Sequence, residues 1–159
     1  MSVIKQIYKA FTGVMAALAV IVLLIAAICI IMQFKPAIVV SGSMEPTIST
    51  GSFMLIDKRD KDIEVGDIIA YTNNDMQVSH RVVELTNDGY VTKGDNNENA
   101  DFCPVSPDKV TGTVFFTVPK LGYVMDWAIS VQGIISIVTI CVVFSLMDIL
   151  MNCNEDDNK

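Results

Sequence analysis

Two long apolar runs bracket a stretch of short, alternating ones. Val14 to Phe34 is 21 residues without a charge and with one polar side chain, Gln33. As a helix it rises about 31 Å at ~1.5 Å per residue, enough to cross a hydrocarbon core of ~30 Å. Ile129 to Met147 is 19 residues without a charge, flecked by Ser130, Gln132, Ser136, Thr139 and Ser145. It is a weaker span, still within the ~17–25 residues a crossing takes. Tyr123 and Trp127 precede it, where interfacial aromatics are expected. Between the runs the pattern becomes strand-like: Ala37–Ser41, Phe53–Asp57, Asp67–Thr72, Met76–Leu85, Tyr90–Lys93 and Lys109–Val118. These are rich in Val, Ile, Tyr, Phe and Thr and are separated by turn residues such as Asn73–Asn74–Asp75 and Asn87–Asp88–Gly89. No helical period appears there. The pattern predicts a mainly β protein: a small curled, barrel-like antiparallel sheet flanked by two transmembrane α-helices.

The chain thus divides into a cytoplasmic N-terminus (1–13), a first transmembrane helix (14–34), an extracytoplasmic β domain (35–126), a second transmembrane helix (129–147) and an acidic cytoplasmic tail (148–159). The orientation follows from Lys5 and Lys9, although Lys35 weakens the contrast. The alternatives are a cleavable signal peptide for the first run and a buried core helix for the second. The first run exceeds the ~7–15 residues of a signal-peptide core, and no A-x-A site follows it.

The 159 residues are 52% hydrophobic and 18% charged, with a net charge of −7, which argues against disorder and against a nucleic-acid surface. Residues 35–126 hold 8 Lys+Arg against 14 Asp+Glu, net −6, so the acidity lies in the β domain. Cys103 is the only cysteine in that domain, so no disulfide can form within it. The single histidine and the absence of zinc spacing speak against a metal. No cofactor is expected.

Three places could carry chemistry. Ser43 lies in Ser41-Gly42-Ser43-Met44-Glu45-Pro46-Thr47, a small turn at the end of a strand. By itself this reads most simply as a turn before Pro46, and a serine needs an adjacent base to be a nucleophile. His80 lies in an alternating strand, on one face with Val78 and Val82. A lone histidine there reads most simply as a satisfied strand residue, but it is the chain's only imidazole and so the only candidate for a histidine general base. The run Lys93-Gly94-Asp95-Asn96-Asn97-Glu98-Asn99-Ala100-Asp101 is either a solvated loop or the source of a carboxylate that orients the imidazole. Spacing alone does not bring the three together.

In order along the chain, Ser41–Thr47, Val65-Gly66-Asp67-Ile68-Ile69-Ala70-Tyr71, Ser79-His80-Arg81-Val82-Val83 and Lys93–Asp101 resemble the four boxes of type I signal peptidases. Those are membrane-bound serine proteases that cut signal peptides from exported proteins. Many bacterial members have lysine where this chain has His80. With histidine it is similar to the type found in the endoplasmic reticulum, in archaea and in some spore-forming Gram-positive bacteria. The second span looks most like the archaeal and sporulation-associated branch.

The resemblance implies a serine endopeptidase. Ser43 would be the nucleophile and His80 the base. Asp101 is preferred as the histidine partner and Asp95 as polar support, with either position needed in similar members. The oxyanion hole would be the Ser43 N–H, with the Ser41 hydroxyl as a second donor. It implies signal-peptide-bearing preproteins as substrates, bound as an added strand, with small side chains one and three residues before the cut. Membrane lipid and the secretion translocon are the other contacts expected, and the location is the plasma membrane of a bacterium or archaeon. Ser43, nine residues beyond Phe34, would then stay near the bilayer surface. A non-catalytic membrane module and a self-cleaving protease of the related repressor-like fold are the alternatives. The retained serine, histidine and aspartates count against the first, the two spans and the histidine against the second. Asp148 and Cys103 receive no role.

Overall fold

The computed structural model describes residues 2–60, 62–74 and 76–156. In chain order these form helix α1 (Ser2–Ile31), strands β1 (Phe34–Ile38), β2 (Phe53–Asp57), β3 (Ile68–Asn73), β4 (Met76–Thr86), β5 (Gly89–Lys93) and β6 (Val110–Val118), and helices α2 (Leu121–Ile129) and α3 (Val131–Asp156). One compact unit is built from the two ends of the chain, up to Ile28 and from Trp127; the other runs from Cys29 to Asp126.

The second unit is a single antiparallel sheet of six strands in the order β1-β2-β6-β3-β4-β5. It is open, which corrects the barrel-like expectation. Closure would need β1 and β5 to meet. Instead β5 pairs with the second half of β4, from Arg81 to Thr86, and its outer edge is bridged by Val105 opposite Tyr90. The curl is present. Register shifts at Leu55/Ile56, Ala70/Tyr71 and Val82/Glu84 mark bulges, which increase local twist. Lys35 on β1 donates to Gln77 Oε1 on β4 at 2.7 Å, although three strands separate β1 from β4 in the sheet.

β3 is the centre of the packing. Ile69, Ala70 and Tyr71 are all buried, and successive residues of a strand face opposite sides. Ile69 and Tyr71 pack with Ile63, Val82, Val105 and Val110 on one face. Ala70 packs with Met54 and Ile56 on the other. Burying an Ile or Val side chain is worth roughly 1.5–3 kcal/mol, so both faces stabilise the strand that precedes His80.

The element ends differ from expectation at several points, each with a local cause. The first helix stops at Ile31 and not at Phe34, because Gln33 takes a left-handed φ of 56° and its N–H closes on the Ile30 carbonyl at 3.1 Å. Strand β1 therefore starts at Phe34, three residues before the expected Ala37. Residues Leu121–Asp126, expected in the β domain, begin a helix. Lys120 at φ 63° turns the chain out of β6, and a Cβ on Gly122 would lie 2.7 Å from the Gly51 carbonyl oxygen, a contact only glycine permits. Tyr123, expected at a membrane interface, lies over Gly51, where a Cβ would meet its ring at 2.0 Å.

The second apolar run is not one helix. It breaks at Ser130, whose Oγ accepts the Gly133 N–H at 3.1 Å and caps α3. Helix α3 continues to Asp156, so most of the expected tail is helical. Residues 157–159 and Asp75 of the expected turn lie outside the described residues, as does the Asp148 side chain. Among the described residues one unbroken helix, Gln6–Ile31, is long and apolar enough to cross a membrane; Leu121–Ile129 and Val131–Met147 qualify only together, as a bent pair. Within the helical unit the Tyr8 hydroxyl donates to the Phe144 carbonyl at 2.7 Å, and the Phe144 ring stacks on Phe11 with centroids 5.1 Å apart.

Candidate active site

Ser43 sits in a tight turn after β1. The turn is closed by Glu45 N–H to the Gly42 carbonyl at 3.1 Å and by Ile48 N–H to the Met44 carbonyl at 2.9 Å. Met44 and Ile48 are 2% and 3% exposed, so these two side chains anchor the turn in the core, with the half-buried Ser43 directly before the first of them. Glu45 Oε1 accepts from the Thr50 hydroxyl at 3.1 Å and holds the turn's far side. The Ser43 N–H makes no hydrogen bond among the described residues. Its Oγ lies 3.4 Å from Ser41 Oγ.

The loop after β5 grips this turn from outside. Asn96 donates its N–H to the Ser43 carbonyl at 2.8 Å and its side-chain amide to the Gly42 carbonyl at 3.2 Å. A Cβ on Gly94 would lie 2.6 Å from that same Ser43 oxygen. Gly94→Ala therefore pushes the turn away. We expect Gly94→Ala to unfold at a lower temperature than the unaltered protein, because the added methyl strains the Asn96 contacts to the turn; an unchanged melting temperature would contradict this.

Three adjacent strands build the imidazole's surroundings. His80 pairs with Ile69 across β3–β4, and Tyr71 pairs with Val78. Across β4–β5, Val82 pairs with Thr92. Tyr71, His80 and Thr92 thus share one face as diagonal neighbours, close enough for long side chains to touch. The Tyr71 and His80 rings meet edge to face, with centroids 6.3 Å apart. Asp101 reaches the cluster because its N–H bonds the Thr92 carbonyl at 2.7 Å.

One oxygen, Asp101 Oδ2, lies 2.6 Å from His80 Nδ1. The same oxygen accepts the Thr92 hydroxyl at 2.6 Å and the Tyr71 hydroxyl at 3.0 Å. Burial pushes the Asp101 carboxyl up, but the hydrogen bonds from His80, Thr92 and Tyr71 outweigh it and hold the group below its usual range. Burial pushes the Tyr71 phenol up to about 12, so it remains a donor. His80 Nε2 has no hydrogen-bond partner, and no partnerless polar atom among the described side chains is fully buried, so Nε2 keeps some contact with solvent.

The structure divides the two aspartates between consecutive residues. Asp95 takes Arg81 in a two-pronged pair, Nε to Oδ1 at 2.9 Å and Nη2 to Oδ2 at 2.6 Å. That guanidinium, aided by a hydrogen bond from Thr47, holds the Asp95 carboxyl below its usual range. Asp95 makes no hydrogen bond to the imidazole. Ser43 and His80 stand on neighbouring elements without a hydrogen bond between them. Ser43 and Ser41 line a small cleft of about 90 Å³ with Val39, Gln77, Val78 and Ser79. His80 and Asp101 line a larger one of about 420 Å³ with Tyr71, Phe102 and Cys103. Val78 belongs to both. Among the described residues, no group of three or more His, Cys, Asp or Glu side chains is placed to hold a metal. Sequence reasoning missed Tyr71 and Thr92 as members of the site. Their signal is the shared-face spacing from His80, which is visible only once the strand registers are known.

Residues 12–97, more than half of the chain, match a family model described as signal peptidase, peptidase S26. Signal peptidase I W of Bacillus subtilis is 42% identical over 79 residues, covering 45% of this chain and 42% of its own length. The signal peptidase complex catalytic subunit SEC11 of Zygosaccharomyces rouxii is 36% identical over 105 residues, covering 57% and 63%. The SEC11 subunit of Komagataella phaffii is 33% identical over 106 residues, covering 55% and 62%. The chain thus spans less than two thirds of the length of these curated relatives. The family match takes in Ser43, His80 and Asp95 and stops before Asp101.

Proposed function

Because the chain belongs to the signal peptidase family, peptidase S26, we propose that it is a membrane-bound serine endopeptidase that removes signal peptides from exported preproteins. The observation that carries this is the His80–Asp101 pair at 2.6 Å, beside the anchored turn that presents Ser43. With Nδ1 facing the carboxylate, the proton sits on Nδ1 and the unpartnered Nε2 is the basic nitrogen.

Ser43 Oγ attacks the scissile carbonyl as Nε2 takes its proton. The same proton then passes to the leaving amine, and water releases the acyl group by the reverse route. Asp101 fixes the tautomer and stabilises the imidazolium. The unused Ser43 N–H, with the Ser41 hydroxyl beside it, receives the oxyanion, and one such donor is worth about 2.7–4 kcal/mol in the transition state. Hydrogen bonds of this kind often tighten only when substrate is bound, which accounts for the unmade Ser43–His80 bond.

The substrate enters as a strand. The first half of β4, from Met76, pairs with β3 on one side and has no strand on the other, because β5 begins its pairing at Arg81. An extended peptide laid there satisfies that edge. It places a side chain in the cleft beside Ser43, whose roughly 90 Å³ falls well short of the ~300–1,000 Å³ of small-molecule pockets and suits a small residue before the cut. The apolar helix Gln6–Ile31 anchors the enzyme. Helices α2 and α3 supply a second, bent span, and the β domain lies on the extracytoplasmic side of the plasma membrane. Preproteins and lipid are its partners.

The test is incubation of the full chain in lipid vesicles with a preprotein carrying alanine one and three residues before its cleavage site. The product should be shortened and begin, on N-terminal sequencing, directly after the second alanine. An uncut preprotein, or a cut elsewhere, would overturn the proposal.

A further inference from the structure

We propose that Thr92, with Tyr71 as a second donor, is the positioning residue that holds Asp101 against His80. The inference rests on the Ser–His mechanism above and assigns the part of the site that keeps its carboxylate in place. Asp101 lies in the irregular segment after β5, where nothing in its own backbone fixes a side chain. Thr92 grips it at two points. The Thr92 carbonyl accepts the Asp101 N–H at 2.7 Å, and the Thr92 hydroxyl donates to Oδ2 at 2.6 Å. Thr92 is fully buried and lies in β5, so its own position is set by the sheet. Tyr71, also buried, approaches the same oxygen from β3 at 3.0 Å.

The carboxylate is therefore held from both strands that flank β4, and His80 comes from β4 itself. Three donors converge on the one oxygen, Oδ2, and this favours the ionised, acceptor-only form of Asp101, the charge state that a protonated imidazole requires. Rigid support of this sort keeps a catalytic group within the narrow tolerance that catalysis needs. The Thr92 hydroxyl makes no contact with the imidazole and acts through Asp101; the Tyr71 hydroxyl also lies 3.4 Å from His80 Nδ1, which is why Thr92 carries the test.

The experiment compares Thr92→Val, Thr92→Ser and Tyr71→Phe in the full chain in detergent, on a synthetic peptide carrying the alanine-bounded cleavage site. Thr92→Val keeps the shape and removes the hydroxyl. We expect its kcat to fall by roughly tenfold to a hundredfold, the factor set by one hydrogen bond to a charged group, with KM within about twofold because substrate binding is untouched. Thr92→Ser restores kcat to within about threefold, and Tyr71→Phe falls between. Because the chain has one histidine, the downfield Nδ1–H proton resonance is a single signal. It should move or broaden in Thr92→Val and return in Thr92→Ser. An unchanged resonance with kcat within twofold in Thr92→Val overturns the proposal, as does a loss of kcat that serine does not restore. His80→Ala, run beside them, separates the two levels: if it remains active, the Ser–His mechanism itself fails, whatever the Thr92 variants do.

Discussion

On the proposed mechanism Ser43→Ala and His80→Ala should each lower kcat for preprotein cleavage by roughly 10⁴–10⁶-fold, the size expected when one member of a nucleophile–base unit is removed. The serine variant is the cleaner test. The Ser43 hydroxyl makes one long contact, 3.4 Å to Ser41 Oγ, whereas the turn hangs on buried Met44 and Ile48 and on the Asn96 contact to the Ser43 carbonyl. Thermal unfolding should therefore be unchanged. His80 is buried and paired, so its variant also loses some stability, and its melting must be measured beside its rate. Because the two side chains act on one proton, the double variant should be no slower than either single one. Cleavage within tenfold of the unaltered enzyme, in a variant that melts normally, refutes the mechanism.

Asp101→Asn and Asp95→Asn should separate, although only five residues lie between them. Asparagine at 101 keeps the shape and loses the charge. It can no longer enforce the Nδ1–H tautomer, and the expected loss in kcat is about 10⁴-fold. Asparagine at 95 strips the two-pronged partner from Arg81 and costs about 1–3 kcal/mol of stability, with a far smaller effect on rate. The pH dependence gives a second signature. The Asp95 carboxyl is held below its usual value by Arg81. Its stabilisation is therefore complete above the unfolded value of about 3.9 and is lost as pH falls through the lower folded value. The melting advantage of the unaltered protein over Asp95→Asn should be constant near neutrality and shrink as the pH is taken below about 4. Equal cleavage rates in the two variants would mean that neither aspartate serves the imidazole in the way described.

Much of the sheet is legible in the chain, because strand alternation and turn residues are local signals. Phe53–Asp57 is bounded by Gly51–Ser52 on one side and by the Lys58–Arg59 turn on the other, and it forms over those same five residues. The β1 start is not legible: Phe34 continues the apolar run by composition, and only the left-handed Gln33 separates it from the helix. The break at Ser130 is hidden for a similar reason, since one serine among apolar residues does not announce a cap. Helix α2 is obscured by its brevity. Openness of the sheet was out of reach, because it depends on which strand meets the outer edge of β5, and Val105 sits in a loop with no strand pattern. In the site, Ser43 and His80 stand out through the boxes around them. Thr92 and Tyr71 do not, because each looks like an ordinary strand residue until three strands are in register.

His80 and Arg81 are neighbours in one strand and so point to opposite faces, and Asp101 and Asp95 take one each. Parity therefore decides which aspartate meets the imidazole. One residue inserted or deleted at the Asn73–Asn74 hairpin, if absorbed by sliding β4, would present the guanidinium to Asp101 and turn the imidazole towards Asp95. A change of two residues would preserve the assignment. A hairpin remote from the chemistry thus sets a constraint that counts in pairs, and length variation there should be tolerated in even steps and not in odd ones.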